Sequence, residues 1–254
     1  MSFLRRNIKH GIAAVMLMCA LCGCATMYNP ATGRKEFIFI NDETEIAMGR
    51  NVVRQIAKEK PLWRNSAAQS RVESVGRRIA EVSDRSELNY EFYILDDKEL
   101  NAMALPGGFV YINRGLLTLV TDDELAFILG HEVGHVAARH SVKKLQSAMG
   151  FQLLLTLAFS FAGEKNAQAA GNIAQASDMA YNLISLGYSR QDEYAADTLG
   201  VKYASLAGFN PKAAIAALQK IKKAESQSGK VPIYLRSHPY IDDRIKALEK
   251  EKSL

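Results

Sequence analysis

The sequence predicts a mainly helical α+β domain with one small sheet. Two observations carry this: apolar residues recur at three- and four-residue spacing through long stretches, almost without interruption from Thr121 onward, and the few aromatic, β-branched runs lie in the first half. The chain has 254 residues, 48% hydrophobic and 23% charged. That composition suits one large globular domain or two small ones, and disfavours disorder, collagen and a polytopic membrane protein.

The N-terminus sets destination rather than fold. Arg5, Arg6 and Lys9 precede Gly11 to Leu21, an uninterrupted small and apolar run. Such a run falls short of the roughly 20 residues a membrane-spanning helix takes, and with its basic start it reads as a secretory signal. It ends in Leu21-Cys22-Gly23-Cys24, which resembles the lipobox of bacterial lipoproteins, with Cys24 as the acylated residue because Gly23 before it is small. Residues 1–23 are then the signal, 24–36 a lipidated tether and 37–254 the folded domain. Ala25 after the cysteine, rather than Asp, resembles lipoproteins forwarded to the outer membrane of Gram-negative cells. The expectation is an envelope protein facing the periplasm. Cys19, Cys22 and Cys24 are the only cysteines, so the body forms no internal disulfide. Without the signal, 29 basic residues face 27 acidic ones, a balance that gives no case for nucleic acid.

The elements follow in order. Tyr28 to Arg34 is turn-rich and reads as the tether, and Phe37 to Ile40 as a short strand. Asn41-Asp42-Glu43-Thr44-Glu45 is an acidic, cap-like start to a helix reaching about Lys60. Val72, Val75, Ile79 and Val82 place a second helix over Ser66 to Val82. Leu88 to Leu95 and, beyond Pro106-Gly107-Gly108, Phe109 to Ile112 are strands. Phe151 to Ala162 reads as a buried or substrate-covering helix, since it is too short to span a bilayer and lacks the basic face of membrane-surface helices.

The chemistry concentrates after Thr121. Thr121 and Glu124 form a capping-box pattern opening a helix that carries His131-Glu132-Val133-Gly134-His135. At about 100° per residue the two imidazoles sit one turn and some 40° apart, so both reach one ion. Glu132 lies about 60° from His135, placed to face a water at the ion without ligating it. A zinc site needs a third protein ligand, and His140, Glu193 and His238 are the candidates. His140 falls about 180° from His131 on the same helix and points away unless the helix breaks, so it reads as a surface or helix-end residue. Glu193 and Asp197 share a helical face among small residues, which suits one carboxylate on the metal and one orienting a ligand histidine.

These residues resemble the HtpX and CAAX-prenyl-protease family of zinc metallopeptidases, in particular its small bacterial lipoprotein members. The likeness rests on His131 to His135, on Glu193-Tyr194-Ala195-Ala196-Asp197, on Asn101 to Gly108 before a strand, and on Ser237-His238-Pro239 followed by Arg244. It implies a zincin-type metalloprotease domain with the active-site helix beneath the edge of the sheet. By that resemblance His131, His135 and Glu193 bind one zinc ion, Glu132 is the general base, and Asp197 supports a ligand. His238 resembles a family histidine that approaches the zinc as fourth ligand or oxyanion donor, and Arg244 the arginine beside it; both are counted with the catalytic residues. Asn101 to Ile112 resembles the substrate-binding edge, with Asn101, Gly107, Gly108 and Phe109 in contact with an extended peptide. The same segment also reads as a hairpin turning at Pro106-Gly107-Gly108. The implied activity is endoproteolysis of unfolded or misfolded envelope proteins, with envelope assembly machinery as a further partner. A zinc-containing chaperone of little proteolytic activity is the alternative, and an intact Glu132 argues against it.

Overall fold

The computed structural model describes residues 26–149, 167–184, 186–228 and 233–251. The expected signal, Cys24 and the apolar stretch Phe151 to Ala162 lie outside these residues. Strands β1 (Thr26–Asn29) and β2 (Arg34–Phe37) form an antiparallel hairpin. The stretch expected to be a tether is therefore strand and turn, fastened by Glu36, which lies 3.0 Å from Lys143. The strand expected at Phe37 to Ile40 starts and ends earlier. The Gln146 side chain accepts from the amides of Phe39 and Ile40 at 2.7 and 3.2 Å, taking donors a strand ladder needs.

Helices α1 (Asp42–Glu59) and α2 (Ser66–Glu81) begin where expected, capped by Asn41 and Asn65. The main sheet holds β3 (Glu91–Leu95), β4 (Ala102–Leu105) and β5 (Phe109–Asn113) in the order β3-β5-β4, with β3 parallel and β4 antiparallel to the central strand. Gly107 and Gly108 make the β4–β5 turn with φ of 81° and 95°, a left-handed backbone that favours glycine. After the short α3 (Arg114–Leu117) come α4 (Asp122–Ala137), α5 (His140–Ala148), α6 (Ala167–Ile184) and α7 (Arg190–Leu206). Finally α8 (Ala213–Ser228), α9 (Ile233–Ser237) and α10 (Ile241–Glu249) complete the chain's described elements. No helix among the described residues is long and apolar enough to cross a membrane.

Helix α4 is buried on every side from Glu124 to Ala137, as its apolar sequence requires. Its capping box forms as the pattern predicts: Thr121 accepts from the Glu124 amide and Glu124 from the Thr121 amide. The main sheet, α2, α7 and α8 pack around it in one core. Edge strand β4 also packs against it, which puts the open side of the sheet beside α4.

The crossing of α4 and α7 is a contact of backbones. A methyl carbon at Gly200 would sit 3.0 Å from the His131 nitrogen and 3.2 Å from the Phe127 oxygen. One at Gly134 would meet Leu199 Cβ at 3.0 Å and the Ala196 oxygen at 3.2 Å. Helix α4 ends because Arg139 turns to φ 54°, a left-handed conformation unusual for a non-glycine residue. Buried Glu45 holds this corner: its carboxylate accepts from Arg85 at 3.1 Å, from Arg139 at 2.9 Å and from the Gly107 amide at 3.1 Å.

Gly200→Val is expected to destabilise the fold by about 1–3 kcal/mol, because branched carbons would drive α7 off the α4 backbone. Urea unfolding of the two proteins checks this; equal midpoints would refute the tight crossing.

Candidate metal centre

His131 and His135 project from the last two turns of α4, Glu193 and Asp197 from the first turns of α7, and His238 from the end of α9. All are buried. The Nε2 atoms of His131 and His135 lie 3.0 Å apart, and Glu193 is 3.6 Å from the first and 3.5 Å from the second. His238 Nδ1 lies 3.1 Å from His131 Nε2 and 3.2 Å from Glu193 Oε1. One donor atom from each of these four residues falls within 4.8 Å of every other.

The outward atoms of the ligand rings explain their orientation. His131 Nδ1 donates to Asp197 Oδ1 at 2.9 Å, which leaves its Nε2 lone pair turned inward. His135 Nδ1 meets His140 Nδ1 at 2.9 Å, and His140 Nε2 faces Asp192 at 3.5 Å. A proton on His135 Nδ1 likewise leaves its Nε2 lone pair inward. His140 is thus at a helix end, as expected, but it is buried and turned to the site rather than away. The break at Arg139 redirects it, and no glycine in the sequence marks that break. Sequence reasoning also missed Tyr188, which stacks on His135 with ring centroids 4.0 Å apart and bonds Ser141 through its hydroxyl at 2.8 Å.

Arg244 is wholly buried and grips both carboxylates. It donates to Asp197 through Nε at 2.8 Å and Nη2 at 2.6 Å, and its Nη1 lies 2.8 Å from Glu193 Oε2. It therefore positions ligands and their supports. Glu132 differs from every other acid here. Neither of its buried oxygens has a hydrogen bond among the described residues, and His238 Nε2 stands 3.4 Å away.

Burial governs the titrations. It lowers the pKa of His131, with the Arg244 charge adding to it, and pulls His135 down to about 4, so both are neutral and able to ligate. Burial also raises Glu132. It opposes ionisation of Glu193, yet His238 and Arg244 hold that carboxyl well below its usual range. Burial alone would lower His238, but Glu132 and Glu193 hold it above its ordinary value.

The residues fit a zinc ion. Donors at about 2.0–2.1 Å from a tetrahedral ion lie roughly 3.3 Å from one another, close to the spacings seen. Inward lone pairs with no proton between them repel unless a cation sits among them. Imidazole and carboxylate are donors that suit zinc.

The sequence now decides the family: residues 66–252 match peptidase family M48. The chain belongs to that family. M48 metallopeptidases use zinc, in keeping with the donor set. Relatives include the mitochondrial metalloendopeptidase OMA1 of Schizosaccharomyces pombe, 29% identical over 230 residues, covering 87% of this chain and 65% of its own length. The beta-barrel assembly-enhancing protease of Yersinia pestis is 27% identical over 227 residues, covering 85% of this chain and 45% of its own. The metalloendopeptidase OMA1 of Bos taurus is 32% identical over 173 residues, covering 65% and 33%. The chain spans less than two thirds of the length of these relatives.

The expected substrate contacts divide. Asn101 precedes β4, and its side chain lies 3.5 Å from Ser237 Oγ, next to His238. The Gly107 amide is taken by Glu45, Gly108 lies in the turn against Tyr90, and Phe109 is buried in the core against Gly49. Phe109 therefore packs the sheet and offers no surface to a peptide. The open feature is β4 itself, on whose outer side no strand pairs among the described residues.

Asp197→Asn is expected to weaken zinc binding 10- to 100-fold with the fold retained, since the amide cannot hold both His131 and Arg244 as the carboxylate does. Competition with a chromophoric chelator measures it, and unchanged affinity would remove Asp197 from the support of His131.

Proposed function

We propose that this chain is a zinc metalloendopeptidase that cleaves unfolded or misfolded cell-envelope proteins. It belongs by this reading to the small lipoprotein branch near HtpX and the CAAX prenyl proteases, is anchored by Cys24 and faces the periplasm, at the outer membrane if the cell is Gram-negative. The observation that carries the activity is Glu132, a buried carboxylate without a hydrogen-bonding partner among the described residues, beside a convergent set of metal donors. A site that only binds metal has no use for such a group.

His131, His135 and Glu193 would hold the ion. When bound, zinc supplies Lewis acidity, polarising a carbonyl and making a neighbouring water acidic near neutral pH. Glu132 takes the proton of the attacking water and hands it to the leaving nitrogen. Its raised pKa suits both halves of that transfer. The outer edge of β4 would seat a substrate in extended form through backbone hydrogen bonds, a mode that reads shape and not sequence. That suits unfolded chains as substrates. The name of the Yersinia pestis relative, a beta-barrel assembly-enhancing protease, supports an envelope setting and contact with assembly machinery.

His238 lies among the donors and would be a fourth ligand to the ion in the resting protein. Its replacement should then open the site, so His238→Ala is expected to raise basal cleavage at unchanged zinc content; a fall in kcat would instead assign His238 to the transition state.

The decisive comparison is casein degradation by the zinc-loaded mature domain, Cys24→Ser, and by the same domain with Glu132→Gln. The glutamine variant should keep its zinc and lose about 10²–10⁴-fold in rate. A zinc-loaded variant that stays active would overturn the base assignment. If neither protein cleaves, the chaperone reading gains.

A further inference from the structure

The N-terminal hairpin presents a face that the metal site does not use. Cross-strand pairing places Thr26 opposite Phe37 and Tyr28 opposite Lys35, so these four side chains share one side of the β1–β2 ribbon. The other side carries Met27, Asn29, Arg34 and Glu36, and Asn29 and Glu36 fasten it to the protein. Asn29 is buried, and Glu36 bonds both Asn29 and Lys143 at 2.9 and 3.0 Å. The first side is open: Tyr28 is 62% exposed and Phe37 52%. Eight large apolar side chains are exposed among the described residues, and two of them, Tyr28 and Phe37, lie side by side on this face. Such a concentration in so short a ribbon departs from the scatter expected of an ordinary surface. Lys35, opposite Tyr28, adds positive charge to this face.

We propose that this face seats on the lipid surface to which Cys24 is anchored. The inference rests on acylation of Cys24 and adds to it a docking surface with a fixed orientation. Cys24 precedes Thr26 by two residues, a reach of at most about 7 Å, so an acylated Cys24 brings the ribbon to the headgroups. There the side chains match their surroundings. Tyrosine sits with its ring among acyl carbons and its hydroxyl in water, phenylalanine buries its ring, and lysine lays its stem along the apolar layer and meets anionic headgroups. A second copy of the chain is a poorer occupant, because a stable dimer buries about 800 Å² on each partner, more than four side chains offer. A bilayer sets no such minimum once the anchor is in place.

The test uses the full acylated chain carrying Phe37→Trp and Trp63→Phe, which makes position 37 the sole tryptophan. The protein is reconstituted in phosphatidylglycerol–phosphatidylethanolamine vesicles with and without brominated acyl chains, and the mass of its N-terminal peptide reports acylation. Seating predicts blue-shifted emission and loss of intensity to the brominated lipid, both reduced by adding Lys35→Glu. Solvent-like emission from vesicle-bound, acylated protein would overturn the seating and leave the anchor standing. Unmodified Cys24 in protein taken from membranes would overturn the anchor and the seating together.

Discussion

The approach of α4 to α7 at Gly134 and Gly200 is the constraint on which the centre depends. Two histidines on one helix and two carboxylates on the other meet only if the axes come closer than ordinary side chains allow. The glycines permit that, and the burial of α4 on all sides holds it there. The spacing of four residues in each helix then does the rest, because one turn of α4 offers two imidazoles and one turn of α7 two carboxylates. The first carboxylate faces the donors and the second the back of a ligand ring.

Buried charge is the second ordering principle. Ionised groups inside a protein are tolerated when each has a partner, and here the partners come from distant segments. Arg244 of α10 answers Asp197 and Glu193 of α7, while Arg85 and Arg139 answer Glu45 of α1. The second cluster lies at the corner where α4 ends. It fixes Arg139 in its left-handed conformation, and that conformation sends His140 back toward His135. A cluster outside the metal centre thus aims one of the centre's rings.

Much of this was legible in the sequence because it depends on local periodicity. Thr121 and Glu124 mark the start of α4, the spacing of His131 and His135 gives their shared face, and the spacing of Glu193 and Asp197 gives theirs. What escaped was tertiary. The turn at Arg139 has no glycine to announce it, so the sequence places His140 at a helix end or on the surface without showing that the break aims it back at the site. Phe109 was assigned to a peptide on likeness alone, whereas its ring fills the space over Gly49. The hairpin near the N-terminus looked like a tether because its turn residues are conspicuous and its strands are only four residues each. Its attachment depends on Lys143 and Gln146, more than a hundred positions downstream.

One consequence follows from the order of the donors along the chain. They come from positions 131, 135, 193 and 238, and every cysteine lies at or before position 24. An ion held by all four is therefore a cross-link in a body without disulfides, and it ties the two loops between its donors into closed rings. Closing such loops removes freedom from the unfolded chain much as a disulfide does. A removable knot of this kind would make the seating of the last two helices depend on metal supply.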